Sequence, residues 1–175
     1  MSYTETLDRL ATATEKQLVA AWTSWQEGLI TEADFYAVAT AYLAAAQNRA
    51  TALADTALAA FLTATLGKPV PALGMVPAEV DHRDDLRAAV SDETDPGGRV
   101  GRTGRAVALA AAQDAYSDGM RVHGVPAWTR VLNGGACELC RDLAGAVLPG
   151  HAEMYHHPGC GCTQRPILNP ERNLA

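Results

Sequence analysis

The chain has 175 residues, a formal charge of −6 from 14 Lys and Arg against 20 Asp and Glu, and 34 alanines but only 2 Phe, 3 Trp and 5 Tyr. That is the length of one domain, and its small apolar side chains suit helices packed closely along their length rather than a thick core. No apolar run approaches a membrane span, the polar and acidic start MSYTETLDRL is unlike a signal peptide, and the acidity argues against a protein that coats nucleic acid.

Residues 4–26 read as a first helix, with Leu7, Leu10, Thr14, Leu18, Ala21 or Trp22, and Trp25 spaced by threes and fours, and Gly28 as its stop. Thr31 opens a Thr-Glu-Ala-Asp cap, and no Gly or Pro interrupts the sequence from Glu32 to Leu66. Phe35, Val38, Tyr42, Ala45, Ala46, Arg49, Leu53, Ala57, Phe61 and Leu62 roughly track one face of this second helix. At 1.5 Å per residue it would be about 50 Å long, more than a small domain needs, so part of the hairpin is expected to pack on a partner. The aromatic residues Trp22, Trp25, Phe35 and Phe61 are expected between the two helices.

Residues 1–66 thus form a helical hairpin arm, and 67–101 a linker with a short helix at Asp81–Val90. The stretch 91–98 reads as a loop. Gly97-Gly98-Arg99-Val100-Gly101-Arg102-Thr103-Gly104-Arg105 reads as flexible linker plus helix start, with contact to DNA or an acidic partner as the sharper alternative. It lacks the lysine and the preceding strand of a phosphate-binding loop. A helix is expected from Arg102 to about His123, with Val107, Ala111, Ala115 and Met120 on one side and His123 near the C-terminal dipole. Val125–Val131 has strand character, and Trp128 is the expected core anchor beside the cysteine-rich segment.

The halves differ in charge. Residues 1–95 carry 6 basic and 14 acidic groups, whereas 96–175 carry 8 basic groups, all Arg, and 6 acidic ones. The second half also holds every cysteine. Cys137 and Cys140 form a Cys-x-x-Cys turn preceded by Gly134 and Gly135, which are expected to supply backbone freedom. Cys160 and Cys162 follow, with His157 three positions before Cys160. Two paired donor turns closing on each other are what tetrahedral zinc requires. Cys137, Cys140 and Cys160 are the firm ligands, and either His157 or Cys162 completes the set, with His156 in reserve. A cysteine-rich closed set favours a structural ion over a catalytic one, although Glu138 and Glu153 are nearby carboxylates. The fold class is therefore mainly α: a long hairpin arm, a further helix, and a small β-containing, zinc-knuckle-like module within 102–175.

Trp128-Thr129, then Cys137-x-x-Cys140 followed by Leu143-Ala144-Gly145, then His157-Pro158-x-Cys160-x-Cys162, resembles the C-terminal motif of MuF-like minor head proteins of tailed bacteriophages. The likeness is close over residues 128–167, with one departure: Gly161 stands where the family usually has Arg. The resemblance implies a minor capsid protein that associates with the portal, with the major capsid protein and packaged DNA as further contacts. It would assemble in the bacterial cytoplasm, reside in the virion head, and act in head assembly and in genome packaging or delivery. It implies no catalytic residue, no small-molecule substrate and no membrane. Two alternatives stand beside it. A capsid maturation protease could draw on Ser91, Ser117, His82, His123 and Asp114, although neither serine lies in a Gly-x-Ser-x-Gly elbow. A zinc-containing nucleic-acid adaptor would use the arginine-rich half.

Overall fold

A computed structural model describes residues 2–155 and 157–169. Five helices and three strands follow one another in it: α1 (Tyr3–Gln26), α2 (Glu32–Leu66), α3 (Arg83–Val90), α4 (Pro96–Val122), β1 (Ala127–Val131), α5 (Glu138–Asp142), β2 (Val147–Pro149) and β3 (Thr163–Ile167). The protein is mainly helical with a small antiparallel sheet, as the sequence predicts.

Local chemistry sets the helix ends. Ser2 and Thr31 open α1 and α2 with full capping boxes, in which the hydroxyl accepts from the backbone of Glu5 or Asp34 while that residue's carboxylate accepts from the cap backbone. Gly67, at φ 67°, takes the left-handed turn that closes α2.

The hairpin is not free-standing, because α4 lies along both α1 and α2. The face of α2 turned inward agrees with the expected one only in part, at Phe35, Ala46 and Leu62. Phe35, Ala39, Leu43, Ala46, Ala50, Ala54, Leu58 and Leu62 are buried, while Val38 and Tyr42 are exposed. Small residues allow the three axes to approach, so the alanine stripe wins the interior over the larger side chains beside it. The stripe is covered along the length of α2 by this chain's own helices, so the helix length does not by itself call for a partner. Trp25 stacks on Phe35 with centroids 5.1 Å apart, and Trp22 abuts Gly97 of α4, so both tryptophans pack between helices.

The expected loop at 91–98 ends earlier than predicted. Asp95 caps α4 by accepting from Gly98 N at 2.9 Å, Pro96 occupies the first turn, and the glycine- and arginine-rich stretch is helical. Its glycines serve contact rather than flexibility. A Cβ on Gly101 would lie 2.8 Å from Val19 Cγ2, and one on Gly104 2.6 Å from Leu18 Cδ1. Leu18 is fully buried and has nowhere to retreat. Gly104→Val is expected to cost about 1–3 kcal/mol through overpacking, seen as a lower urea midpoint with an unchanged m-value.

The segment between α2 and α3 has no regular secondary structure and is held by side chains of α2, where Thr63 Oγ1 accepts from Val70 N at 2.9 Å. Asp55, 3% exposed on α2, accepts backbone N–H bonds from Leu73, Gly74 and Met75 at 2.9, 2.8 and 3.2 Å. Short α3 then lays Leu86 and Ala89 into a core with Leu18, Phe35, Leu43 and Val100.

The turn into α4 is acid-sensitive. Asp92 accepts from Asp95 N and from the Thr94 hydroxyl and N–H, and these bonds hold its carboxyl down from 3.8 to about 2. A lowered folded-state value gives stability that is complete above the unfolded value and lost as pH falls from about 4 towards 2. Thermal melts of wild type and Asp92→Asn should therefore differ at pH about 6 and converge at pH about 2. A gap that persists at the lower pH would refute this account.

Candidate metal centre

The module after α4 is built on a three-stranded sheet in the order β2-β1-β3, with both pairings antiparallel. Central β1 places Trp128 opposite Leu148 and Pro166, and Arg130 opposite Gln164. Trp128 and Arg130 are two positions apart, so they share a face, and both are buried. Trp128 is the anchor the sequence predicts: it is fully buried and its Nε1 donates to Ala152 O at 3.1 Å. This core is continuous with the helices, since Trp128, Cys140, Cys160 and Cys162 cluster with Leu58, Ala112, Tyr116 and Met120.

The five sequence-predicted donors lie in two overlapping triplets. Cys137 is the N-cap of α5, and its Sγ accepts from Cys140 N at 3.4 Å. The donor atoms of Cys137, Cys140 and His157 lie within 4.8 Å of one another, as do those of Cys140, Cys160 and Cys162. Cys140 is common to both sets, and its Sγ is 3.6 Å from that of Cys160. A tetrahedral zinc with bonds of about 2.3 Å sets its sulfurs roughly 3.8 Å apart, so this pair is at ligand spacing. The four thiols are unbridged. His156 lies outside the described residues, and His151 is exposed.

One expectation is corrected. Gly134 and Gly135 are not in the left-handed region; the module's left-handed turns are at Gly145 and Gly159, with φ 81° and 79°. At Gly161 a Cβ would collide with Asn133 Nδ2. Asn133 itself accepts from the Cys162 thiol at 3.8 Å, so the position that departs from the family motif is packed against a neighbour of the cluster.

The electrostatics separate the thiols. Cys137 is drawn down to about 7, first by the Cys140 N–H that points at it, and further by the Cys140 side chain and by His157. Burial, and then the surrounding thiols, push Cys140 up to about 12. A protonated Cys140 leaves a difficulty at Arg130. This guanidinium is only 5% exposed and reaches Cys140 Sγ at 3.6 Å and Tyr155 O at 2.5 Å, and its Nε has no partner. Among the described residues no carboxylate pairs with it. A buried cation requires a nearby anion. Thiolates provide one, and a divalent ion is what would hold several thiolates together here. The residues present therefore fit a metal.

Supports that sequence spacing alone could not reveal complete the site. Gln113, buried on α4, donates to Cys160 O at 2.7 Å and to Cys162 O at 2.9 Å, fixing the second turn to the helical core. Arg141 fastens α5 to Ala136 O at 2.7 Å. Of the residues named for a serine protease, Ser117 donates to Gln164 Oε1 at 3.0 Å, and His82 Nδ1 faces Asp85 at 3.3 Å.

No helix among the described residues is long and apolar enough to cross a membrane. No family model, curated protein or solved structure matches the chain.

Proposed function

We propose that this is a structural protein of a phage head, a MuF-like minor capsid component that docks at the portal, with a C-terminal module folded around one zinc ion. The observation that carries the reading is the convergence of Cys137, Cys140, His157, Cys160 and Cys162, the donors of the motif shared with that family, on one cluster beside a buried arginine. Zinc would be held by Cys137, Cys140, Cys160 and one of His157 or Cys162, and would supply folding energy rather than chemistry. Three thiolates, His157 and Zn²⁺ leave a net −1, which Arg130 neutralises; four thiolates leave −2. Charge balance therefore supports His157 as the fourth ligand. The protein's place is the virion head, assembled in the bacterial cytoplasm, with the portal as first partner and the major capsid protein and packaged DNA as further contacts.

Coexpression of the full chain with the portal protein encoded by the same genome tests the docking. A complex that survives size-exclusion chromatography, together with the chain's detection in purified virions by mass spectrometry, is expected. Virions that lack the chain would overturn the assignment.

A further inference from the structure

The two cysteine turns differ in access and in tether. Cys137 is half-exposed, whereas Cys140, Cys160 and Cys162 are 1%, 4% and 1% exposed. A small dissolved oxidant therefore meets the sulfur of Cys137 first. The other thiol of its donor triplet is Cys140, whose sulfur lies within 4.8 Å and whose N–H donates to Cys137 Sγ at 3.4 Å. An accessible cysteine beside a second, buried thiol is the arrangement in which an oxidised sulfur is resolved as a disulfide.

Freedom to move favours the same pair. Helix α5 is five residues long and turns flank it on both sides, so its two sulfurs can close to a bond of about 2.0 Å without moving a strand. Cys160 Sγ is also near Cys140 Sγ, at 3.6 Å, but the second turn is held to α4 by the bonds from Gln113 to Cys160 O and Cys162 O.

We propose that Cys137 and Cys140 form a peroxide-sensitive dithiol whose closure to a disulfide dismantles the donor cluster. Cys137 Sγ attacks one oxygen of hydrogen peroxide; the S–O bond forms, the O–O bond breaks, and the departing hydroxide takes up a proton to become water. Cys140 Sγ then attacks Cys137 Sγ; the S–S bond forms, and the hydroxide expelled from the sulfenic acid leaves with a proton as a second water. The two sulfurs together lose two electrons, and the peroxide gains them. Closure withdraws the sulfur common to both triplets and takes from Arg130 the sulfur it reaches at 3.6 Å. The inference deepens the metal reading and rests on it only for the ion that is released. A dithiol reductant reverses the step by exchange.

The test measures zinc in the purified full chain, adds hydrogen peroxide in small excess, and follows the thiols by alkylation and tryptic mass spectrometry. The peptide cut at Arg130 and Arg141 carries Cys137 and Cys140 and neither of the other cysteines. It should lose two hydrogens at least about tenfold faster than Cys160 or Cys162 loses its alkyl label, and dimedone present during the reaction should mark Cys137. One zinc should leave per disulfide formed, and dithiothreitol with added zinc should restore both the thiols and the metal. No oxidation of this peptide, a first bond between Cys140 and Cys160, a first dimedone adduct on Cys160 or Cys162, or zinc retained after the bond has formed would overturn the proposal. A chain that purifies without zinc would overturn the metal reading, and the same peptide would still decide the dithiol.

Discussion

Cys140→Ser is expected to abolish tight metal binding and to melt the module while leaving the helices in place. Cys140 is the donor common to both triplets of the cluster, it is 1% exposed, and its sulfur also faces Arg130. The substitution removes the central ligand and leaves the guanidinium buried against a neutral hydroxyl. Structural zinc contributes on the order of 10 kcal/mol to the folding of small modules, and residues 124–169 have few large apolar side chains to replace it. Far-UV circular dichroism should retain most of its helical signal while Trp128 fluorescence moves to the red, and chelation of the wild type should reproduce both changes. A module that keeps its Trp128 environment after chelation would show that packing alone holds it. Cobalt titration of two further variants settles the fourth ligand. If His157 completes the set, His157→Ala should weaken cobalt binding by about a hundredfold or more, and Cys162→Ser by much less. The reverse order would establish four cysteines.

Asp55→Ala is expected to cost about 3 kcal/mol, a large fraction of a small domain's stability. Each lost bond joined a carboxylate to a backbone N–H, and three such donors lose their acceptor together. The effect should also be local. Hydrogen exchange at Leu73, Gly74 and Met75 should accelerate far more than at Ala50 or Ala54, which lie on the same helix as Asp55. Uniform acceleration across α2 would mean that Asp55 matters to the helix rather than to the segment it pins.

The sequence was most readable where a residue acts on its immediate neighbours. Thr31 with Asp34, Gly67, and the run from Glu32 to Leu66 place α2 to the residue, because caps and breakers are local chemistry. The cysteine and histidine donors were equally plain, since metal-ligand turns have short and fixed spacing. What escaped depends on contacts between distant segments. Residues 97–101 look flexible because glycine disfavours helix, yet packing against Trp22 and Val19 reverses that preference. The inward face of α2 matches the predicted stripe only at Phe35, Ala46 and Leu62, because alanine is weakly hydrophobic although it is the residue that lets axes come close. Strand β2, three residues long, has no period of its own and exists by pairing with Ala127–Thr129. Arg130 and Gln113 belong to the metal cluster through a strand face and a helix face, which no spacing rule between cysteines can specify.

The position of α4 between α1 and α2 has a consequence for synthesis. The hairpin emerges from the ribosome first, and the helix that covers its alanine stripe ends only at Val122. At about 5–20 residues per second, the interval between completing α2 and completing α4 is roughly 3–11 s. Throughout it, Leu7, Leu18, Leu43 and Leu58 lack part of the cover they have in the finished fold. A translational pause between Gly67 and Pro96 would prolong that exposure and with it the time open to aggregation.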